Sequence, residues 1–341
     1  MNEVVILFGG SSPERRVSQA SAQNVASMLP SAELWFLSQA GAMHRVAPAD
    51  LQAFPRPFEN DFLPRGESFG TLAQALDGGE GKVFFLALHG GEGEDGTVQR
   101  MLEARQLAFT GPGKDASAKA FDKEMAKSIA SAAGVRTVES LVLSRTAPRR
   151  AMAEMLALHG RMVVKPVAGG SSVGLHHVAN EAELESAASA ITGAVEAYLA
   201  EAFVEGIELT VGVVDEETGP RALPVSEIRV QPGRAFDYEG KYLGKGTIEV
   251  TPAEVPPEVS QAAQKLALTA HRALGCEGYS RTDCIVGKDG PVFLELNTLP
   301  GLTRASFLPQ QLAAEGTPML KFLEGQLALA RRRRDREARQ S

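Results

Sequence analysis

Apolar residues recur along this chain with two different periods, and the switches between them outline its elements. Val4-Val5-Ile6-Leu7-Phe8 is apolar throughout, too short for a helix and closed by Gly9-Gly10, so it reads as a buried strand. The spacing that follows predicts a helix over 17–28, a strand over 33–37, a short helix over 71–76 and a strongly apolar strand over 83–89. A glycine-rich turn over 90–96 and a helix over 97–104 come next. Strand and helix in alternation predict the parallel sheet of an α/β domain. Residues 41–70, with Pro48, Pro55, Pro57 and Pro64, show no clear period and read as loop.

Beyond residue 112 the pattern changes. A long helix is expected over 115–133, stopped by Gly134, then strands near 139–144 and 161–166. A glycine-rich loop over 169–174, a strand over 175–178 and a helix over 180–196 follow. From 197 onward strands alternate with a long connection over 229–252, and helices are expected over 256–274 and 317–333. Breaks near 112 and 200 divide the chain into an N-terminal α/β domain (1–112), a central part (113–200), a C-terminal part (201–330) and a basic tail (331–341).

The most informative chemistry lies in a hairpin. Tyr279-Ser280-Arg281-Thr282-Asp283-Cys284-Ile285-Val286 and Pro291-Val292-Phe293-Leu294-Glu295-Leu296-Asn297 are strand-like runs joined by Gly287-Lys288-Asp289-Gly290. Side chains alternate along a strand, so Glu295 and Asn297 share a face. A three-residue loop, Lys288-Asp289-Gly290, pairs 287 with 291 and 283 with 295, which puts Arg281, Asp283, Glu295 and Asn297 together. A two-residue Asp289-Gly290 loop would turn Asp283 away. Gly290 suits the left-handed position that ends a three-residue loop, which favours the first register. Such an all-oxygen, anionic cluster fits a hard cation like magnesium bridged to phosphates; equally, Arg281 alone could neutralise the acids.

Composition narrows the class. The 341 residues are 44% hydrophobic and 23% charged, as in an ordinary globular protein of two or three domains. Of the formal charge of −7, residues 331–341 carry +4 (six Arg against Asp335 and Glu337), which leaves −11 on the rest. An acidic body argues against nucleic acid as a partner. The run Arg331-Arg332-Arg333-Arg334 reads as a solvated helix end. Cys276 and Cys284 lack metal-type spacing and fit reduced thiols. The first residues have neither the flank nor the length of a secretory signal, and no run approaches the roughly twenty apolar residues of a membrane span. A cytoplasmic protein without a membrane partner is expected.

Two glycine motifs point elsewhere. Gly91-Glu92-Gly93-Glu94-Asp95-Gly96 matches the dinucleotide fingerprint, but its three acids would stand where a pyrophosphate must sit. Gly170-Ser171-Ser172-Val173-Gly174 matches the hydrolase elbow, yet a strand rather than a helix is expected after it. A nicotinamide-dependent oxidoreductase, a serine hydrolase at Ser172 and a non-catalytic amino-acid-binding module are the competing classes. Against them stands a phosphate-handling set. Lys165 ends a strand just before the 169–174 loop, whose backbone N–H groups and serines can cradle phosphates, and Lys123 offers a second cation. In Glu201-Ala202-Phe203-Val204-Glu205-Gly206-Ile207-Glu208, acids among apolar residues suit an adenine–ribose pocket. A Walker A motif is absent.

Five segments, in order, resemble D-alanine–D-alanine ligases of the ATP-grasp superfamily. They are Gly9-Gly10-Ser11-Ser12-Pro13-Glu14-Arg15-Arg16-Val17-Ser18, Leu88-His89-Gly90 with Gly93-Glu94-Asp95-Gly96, and Lys165-Pro166 with Gly170-Ser171-Ser172-Val173-Gly174. Asp237-Tyr238-Glu239-Gly240-Lys241-Tyr242 and Arg281-Thr282-Asp283 with Glu295-Leu296-Asn297-Thr298-Leu299-Pro300-Gly301 complete the set. The resemblance runs from about residue 3 to 325. It implies a three-domain ATP-grasp fold, D-alanine and ATP as substrates, two magnesium or manganese ions, a role in peptidoglycan precursor synthesis, and a homodimer.

Carried onto this chain, it implies that Asp283, Glu295 and Asn297 hold the metals and that Lys123, Lys165 and Lys241 contact phosphates. Ser172 lies in the phosphate loop, and Glu201, Ala202, Val204 and Glu208 form the adenosine pocket. Glu14 binds the ammonium of the first D-alanine, with His89 near its carboxylate. Arg281 and the Gly301 N–H stabilise the oxyanion, and Ser306 holds the second carboxylate. Ser171 and Tyr242 join Glu14 in a hydrogen-bonded set that closes the 229–252 loop. Tyr242, where depsipeptide-forming relatives carry Phe, favours an amine nucleophile. Arg16, Ala202 and Arg304-Ala305 depart from the common pattern. The last pair bears on the second substrate, for which D-serine, D-lactate or another amino acid is the alternative.

Overall fold

The computed structural model describes residues 3–230 and 247–339, so Lys241 and Tyr242 lie outside the described residues. The first unit comprises β1 (Val4–Gly9), α1 (Arg15–Met28), β2 (Glu33–Leu37), β3 (Ala42–Val46), α2 (Pro48–Gln52), β4 (Ser68–Thr71), α3 (Leu72–Asp77), β5 (Val83–Leu86), α4 (Thr97–Glu103) and β6 (Ala108–Phe109). Its sheet runs β4-β3-β2-β1-β5-β6, parallel over β2-β1-β5-β6 and antiparallel at β3 and β4. Residues 41–70 are therefore not all loop. Their two short strands are half-exposed at the sheet edge, where alternation over four or five residues leaves little periodicity to read.

The second unit holds α5 (Lys114–Phe121), α6 (Lys123–Ala132), β7 (Ser140–Leu143), α7 (Pro148–His159), β8 (Met162–Pro166), β9 (His176–Val178), α8 (Glu181–Ile191) and β10 (Tyr198–Ala202). Its strands form an antiparallel sheet, β7-β10-β8-β9. The single helix expected over 115–133 is two. Asp122 is extended (φ −84°, ψ 104°) and its side chain accepts the Met125 N–H at 2.9 Å, an N-cap that restarts the helix at Lys123. β10 also crosses the expected break at 200, so the sheet ends at Ala202 instead.

The third unit contains β11 (Ile207–Glu216), β12 (Gly219–Ala222), β13 (Ser226–Val230), β14 (Thr247–Val250), α9 (Pro257–Leu274), β15 (Tyr279–Gly287) and β16 (Gly290–Asn297). The order is β14-β13-β11-β15-β16, with β12 beside β11. In the β15–β16 hairpin Gly287 pairs with Gly290 and Val286 with Pro291, so the turn has two residues, Lys288 and Asp289, not three. A β-bulge between Asp283 and Cys284 then shifts the ladder by one. Cys284 opposes Phe293, but Asp283 opposes Glu295 and Arg281 opposes Asn297. The expected loop is wrong and the expected facing pair is present, because the bulge supplies the residue that the turn lacks.

After β16, α10 (Phe307–Ala314) and α11 (Met319–Ala338) return to the first sheet. Phe322, Leu323 and Leu327 join Trp35, Phe84 and Phe85 in one buried cluster, with Leu299 and Leu302 from the loop after β16. That loop is fixed to α1: Asn24 Nδ2 donates to the Leu302 carbonyl at 2.6 Å, and the Leu302 N–H donates to Ser21 Oγ at 3.1 Å. The basic tail is mostly solvated, but one of its arginines is not. Arg333 is buried at 8% exposure, donates to the Phe109 and Gly111 carbonyls at 2.7 Å each, and stacks on the Phe109 ring at 4.0 Å.

Candidate active site

Glu14 stands just before α1, where the chain leaves β1. Its carboxylate accepts the Ser171 hydroxyl at 2.5 Å from a loop 157 residues away. Two glycines make room for it. A Cβ on Gly90 would lie 2.5 Å from a Glu14 carboxylate oxygen, and one on Gly170 2.6 Å. Ser171 and Ser172 both hold left-handed φ angles, 51° and 57°. For non-glycine residues this costs about 1 kcal/mol or more each, a strain that the surroundings must hold in place. Arg15 and Arg16 both turn onto Asp61, at 2.9 and 3.1 Å, so one carboxylate serves two guanidinium groups.

His89 follows β5 and is buried; its Nε2 lies 2.9 Å from Ser21 Oγ. Burial pushes the imidazole down to about 4, against a hydrogen bond with the Leu299 backbone, and Arg281 pushes the same way. It is a neutral ring at ordinary pH. Glu94, absent from the expected site, lies beside it. Its carboxylate accepts the Gly90 N–H at 2.8 Å and the Leu299 N–H at 3.0 Å, which ties the loop after β5 to the loop after β16. Burial and the nearby Glu14 charge push Glu94 up to about 7. The second loop also carries Gly301, whose missing Cβ leaves room for Ser306 Oγ at 2.7 Å. Ser306 Oγ accepts the Thr303 N–H at 3.1 Å and lies at the N-terminus of α10.

One pocket is lined by Glu14, His89, Ser171, Arg281, Glu295, Asn297, Gly301 and Ser306, with Glu94, Glu249, Phe58 and Phe307 added to the expected set. Glu249 accepts from Gln310 Nε2 at 2.9 Å, and burial raises its carboxyl. A smaller neighbouring pocket is lined by Lys123, Gly169, Gly170 and Phe121, and it shares Glu94, Glu295 and Asn297 with the first. The two hairpin residues thus stand where the pockets meet.

Within the hairpin, Arg281 forks onto Asp283 (2.9 and 2.8 Å), and Asn297 Nδ2 donates to the same carboxylate at 3.2 Å. The Thr210 hydroxyl from β11 also donates to it. Glu295 lies 3.6 Å from the Lys123 ammonium, which donates to the Gly169 carbonyl at 2.5 Å. Glu295 and Asn297 line the junction and Asp283 stands opposite Glu295 in the ladder, so two carboxylates and an amide on one sheet face offer the oxygen donors that suit a hard divalent ion. The same face also holds a stabilising arginine fork.

Lys165, on β8, gives its ammonium to Glu201 at 2.9 Å. Glu201, on β10, is buried and its other oxygen is met by Lys127 of α6. Both Glu201 oxygens therefore face lysines, and Glu208 lies on β11 opposite Ile285 of β15, in the third unit's sheet. Ala202 and Val204 line the connection between β10 and β11, and a Cβ on Gly206 would strike the Val286 carbonyl at 2.3 Å. Lys127 was not foreseen. Burial pushes its ammonium down to about 6, as does Lys165, while Glu295 opposes them. Its one sequence signal is the i, i+4 spacing from Lys123, which puts both amines on one helix face.

The decoy motifs are accounted for. Glu92 accepts the Ser11 N–H and hydroxyl, both at 2.7 Å, from the loop after β1, and Asp95 accepts the Thr97 N–H at 2.8 Å, so both acids are taken up by protein donors. Strand β9 follows the 170–174 motif, without the helix an elbow needs.

Family models describing the "D-ala D-ala ligase N-terminus" and "D-ala D-ala ligase C-terminus" match residues 3–112 and 129–326. The chain is 34% identical to the D-alanine–D-alanine ligase of Leptospira interrogans, over 94% of this chain and 95% of that one. It is 37% identical to that of Methylobacterium radiotolerans, over 92% and 93%. Among solved structures, the VanG D-Ala:D-Ser ligase of Enterococcus faecalis superposes with a TM-score of 0.80 at 27% identity, covering 97% of this chain and 100% of that one. The ATP complex of the Bacillus anthracis D-alanine–D-alanine ligase gives 0.75 at 25%, covering 99% and 100%. With two family models spanning most of its length and relatives alike from end to end, the chain belongs to the D-alanine–D-alanine ligase family.

Proposed function

We propose that this protein joins two D-alanines into D-alanyl-D-alanine with ATP, through a D-alanyl phosphate, releasing ADP and phosphate for peptidoglycan precursor synthesis. The observation that carries the reading is the junction of the two pockets at Glu295 and Asn297. One pocket offers an ammonium-binding acid and an anion-binding arginine, the other a lysine and a glycine loop, so a carboxylate in the first can meet a phosphoryl group in the second.

Glu14, oriented by Ser171, binds the ammonium of the first D-alanine, and neutral His89 lines its carboxylate end. Lys123, Lys165 and Lys241 hold the polyphosphate, with the 169–174 loop and Ser172. Glu201, Ala202, Val204 and Glu208 flank adenosine, Glu201 acting through its backbone. The γ-phosphoryl passes to the first carboxylate, and the amine of the second D-alanine attacks the carbonyl carbon of the acylphosphate. Arg281 and the Gly301 N–H stabilise the oxyanion, a contribution of roughly 3–4 kcal/mol per donor in comparable sites. Collapse expels phosphate, and Ser306 holds the second carboxylate. Tyr242, with Ser171, closes the site against water, which would otherwise hydrolyse the acylphosphate. Magnesium or manganese held by Asp283, Glu295 and Asn297 supplies neutralisation of the phosphate charge. We further propose three domains, a cytoplasmic homodimer, and no nucleic-acid or membrane partner.

A second reading keeps the chemistry and changes the nucleophile. Glu249 beside Ala305 and Ser306 alters the second-substrate end of the pocket, and one structural relative is a D-Ala:D-Ser ligase. ADP release measured with D-alanine, with and without magnesium, tests the main reading, and offering D-alanine, D-serine and D-lactate together tests the second. Turnover that does not depend on D-alanine overturns the first; a mixed product dominated by D-alanyl-D-serine favours the second.

A further inference from the structure

The loop after β16 is held by its backbone at Leu299 and Leu302, and side chains of the first unit do the holding. At one end the Leu299 N–H donates to Glu94 at 3.0 Å, and the Leu299 backbone shares a hydrogen bond with His89. At the other end the Leu302 N–H donates to Ser21 Oγ at 3.1 Å, and its carbonyl accepts from Asn24 Nδ2 at 2.6 Å. The ends are also joined to each other, since Ser21 Oγ lies 2.9 Å from His89 Nε2. Ser21, His89, Leu299 and Leu302 are all buried. Only Pro300 and Gly301 lie between the pinned leucines. Proline has a fixed φ and no N–H. The Gly301 N–H donates to no group among the described residues, and Gly301 lines the same pocket as Arg281.

We propose that Glu94 and Asn24 are positioning residues for the ligation: by pinning Leu299 and Leu302 they aim the Gly301 N–H at the oxygen that becomes negative when the amine attacks, a role that rests on the reading of Gly301 as an oxyanion donor. A fixed donor stabilises developing charge because nothing has to turn at the moment of reaction. A span of two residues held at both ends meets that condition. Released at either end, the peptide before Gly301 can rotate, and the donor must be ordered again in the transition state. Glu94 is well placed for this, because its other oxygen accepts the Gly90 N–H at 2.8 Å and so ties the span to the loop that carries His89. Both residues act through the backbone and touch no substrate.

The test separates binding of the reactants from binding of the tetrahedral species. Its probe is a phosphinate dipeptide, whose tetrahedral phosphorus carries an oxygen where the oxyanion forms. Calorimetry reads the affinity for this probe with ADP present, and for D-alanine and ADP alone, beside kcat and the KM values. Work at about pH 8.5 keeps the Glu94 carboxyl, pushed up to about 7, ionised. Glu94→Gln keeps one acceptor oxygen and loses the other, and Asn24→Leu removes the donor at the far end. Each is expected to lower kcat and probe affinity roughly ten- to a hundredfold, with ADP and D-alanine affinity within about threefold. A raised KM for the first D-alanine with kcat unchanged means that Glu94 contacts that substrate directly, and overturns the proposal. A lowered melting temperature with parent kcat and probe affinity means a packing role, and overturns it too. Should Glu94→Gln fold poorly, Asn24→Leu carries the comparison by itself, and parent probe affinity in that variant overturns the proposal. Replacing Gly301 by glycolic acid, whose ester linkage deletes the N–H and keeps the shape, separates the two readings. If that ester leaves kcat and probe affinity at parent values, the oxyanion reading of Gly301 fails; if it lowers both while Glu94→Gln and Asn24→Leu do not, only this proposal fails.

Discussion

The Ser171 hydroxyl donates to the Glu14 carboxylate at 2.5 Å and joins the glycine loop of one unit to the start of α1 in another. A hydrogen bond to a charged group is worth about 1.5–3 kcal/mol. Ser171→Ala is therefore expected to lower kcat/KM for the first D-alanine by roughly ten- to a hundredfold, with the fold intact. Steady-state kinetics at saturating ATP checks this, and an effect confined to KM for ATP would count against it.

Asp283 takes the Arg281 fork, the Asn297 amide and the Thr210 hydroxyl. Asp283→Asn keeps the shape and removes the charge. Turnover is expected to fall at least ~100-fold, since a metal ligand contributes several kcal/mol to stabilising phosphoryl transfer. Manganese binding, followed by the loss of free-ion electron resonance signal, should weaken in parallel. Wild-type turnover in this variant would remove Asp283 from the metal set.

His89 gives a pH dependence of definite sign. Below about pH 6.5 the unfolded chain takes up a proton on this imidazole, whereas burial delays uptake in the folded protein to about 4. Stability is thus lost as pH falls through that window, by up to about 3 kcal/mol from a shift of this size. Urea midpoints at pH 7 and 4.5 should converge less steeply in His89→Gln than in the parent. Equal pH slopes would refute the assignment.

Arg333 donates to two backbone carbonyls and covers Phe109. Arg333→Ala leaves both carbonyls without that donor and is expected to cost roughly 2–4 kcal/mol, measured by chemical denaturation. Arg333→Lys should recover less than half, because an ammonium cannot fork to two acceptors in a plane or stack on a ring.

Much of this architecture was legible in the chain. Long apolar runs such as Val5–Phe8 and Phe84–Leu86 announce buried strands, and the i, i+2 spacing of Glu295 and Asn297 announces a shared face, whereas Asp283 joins them through a bulge that leaves no local signal. Asp122 was readable but overlooked: an aspartate before a helical pattern is a cap as well as a helix member. Glu94 was dismissed with its motif because local sequence cannot reveal that Leu299, 205 residues on, donates to it. Lys127 went unread, since only the fold brings Glu201 to it. Arg333 was lost within a run of arginines whose neighbours are mostly in solvent.

The bulge at Asp283 has a consequence for transplanting this chemistry. With a two-residue turn, an unbroken ladder would set Asp283 opposite Leu294 and send Glu295 to the face of Cys284 and Phe293. Copying the three oxygen donors onto another hairpin of this turn length would scatter them across both faces. What must be carried over is the irregularity itself, and removal of Leu294 should be as damaging as removal of a ligand, although Leu294 has no oxygen to offer.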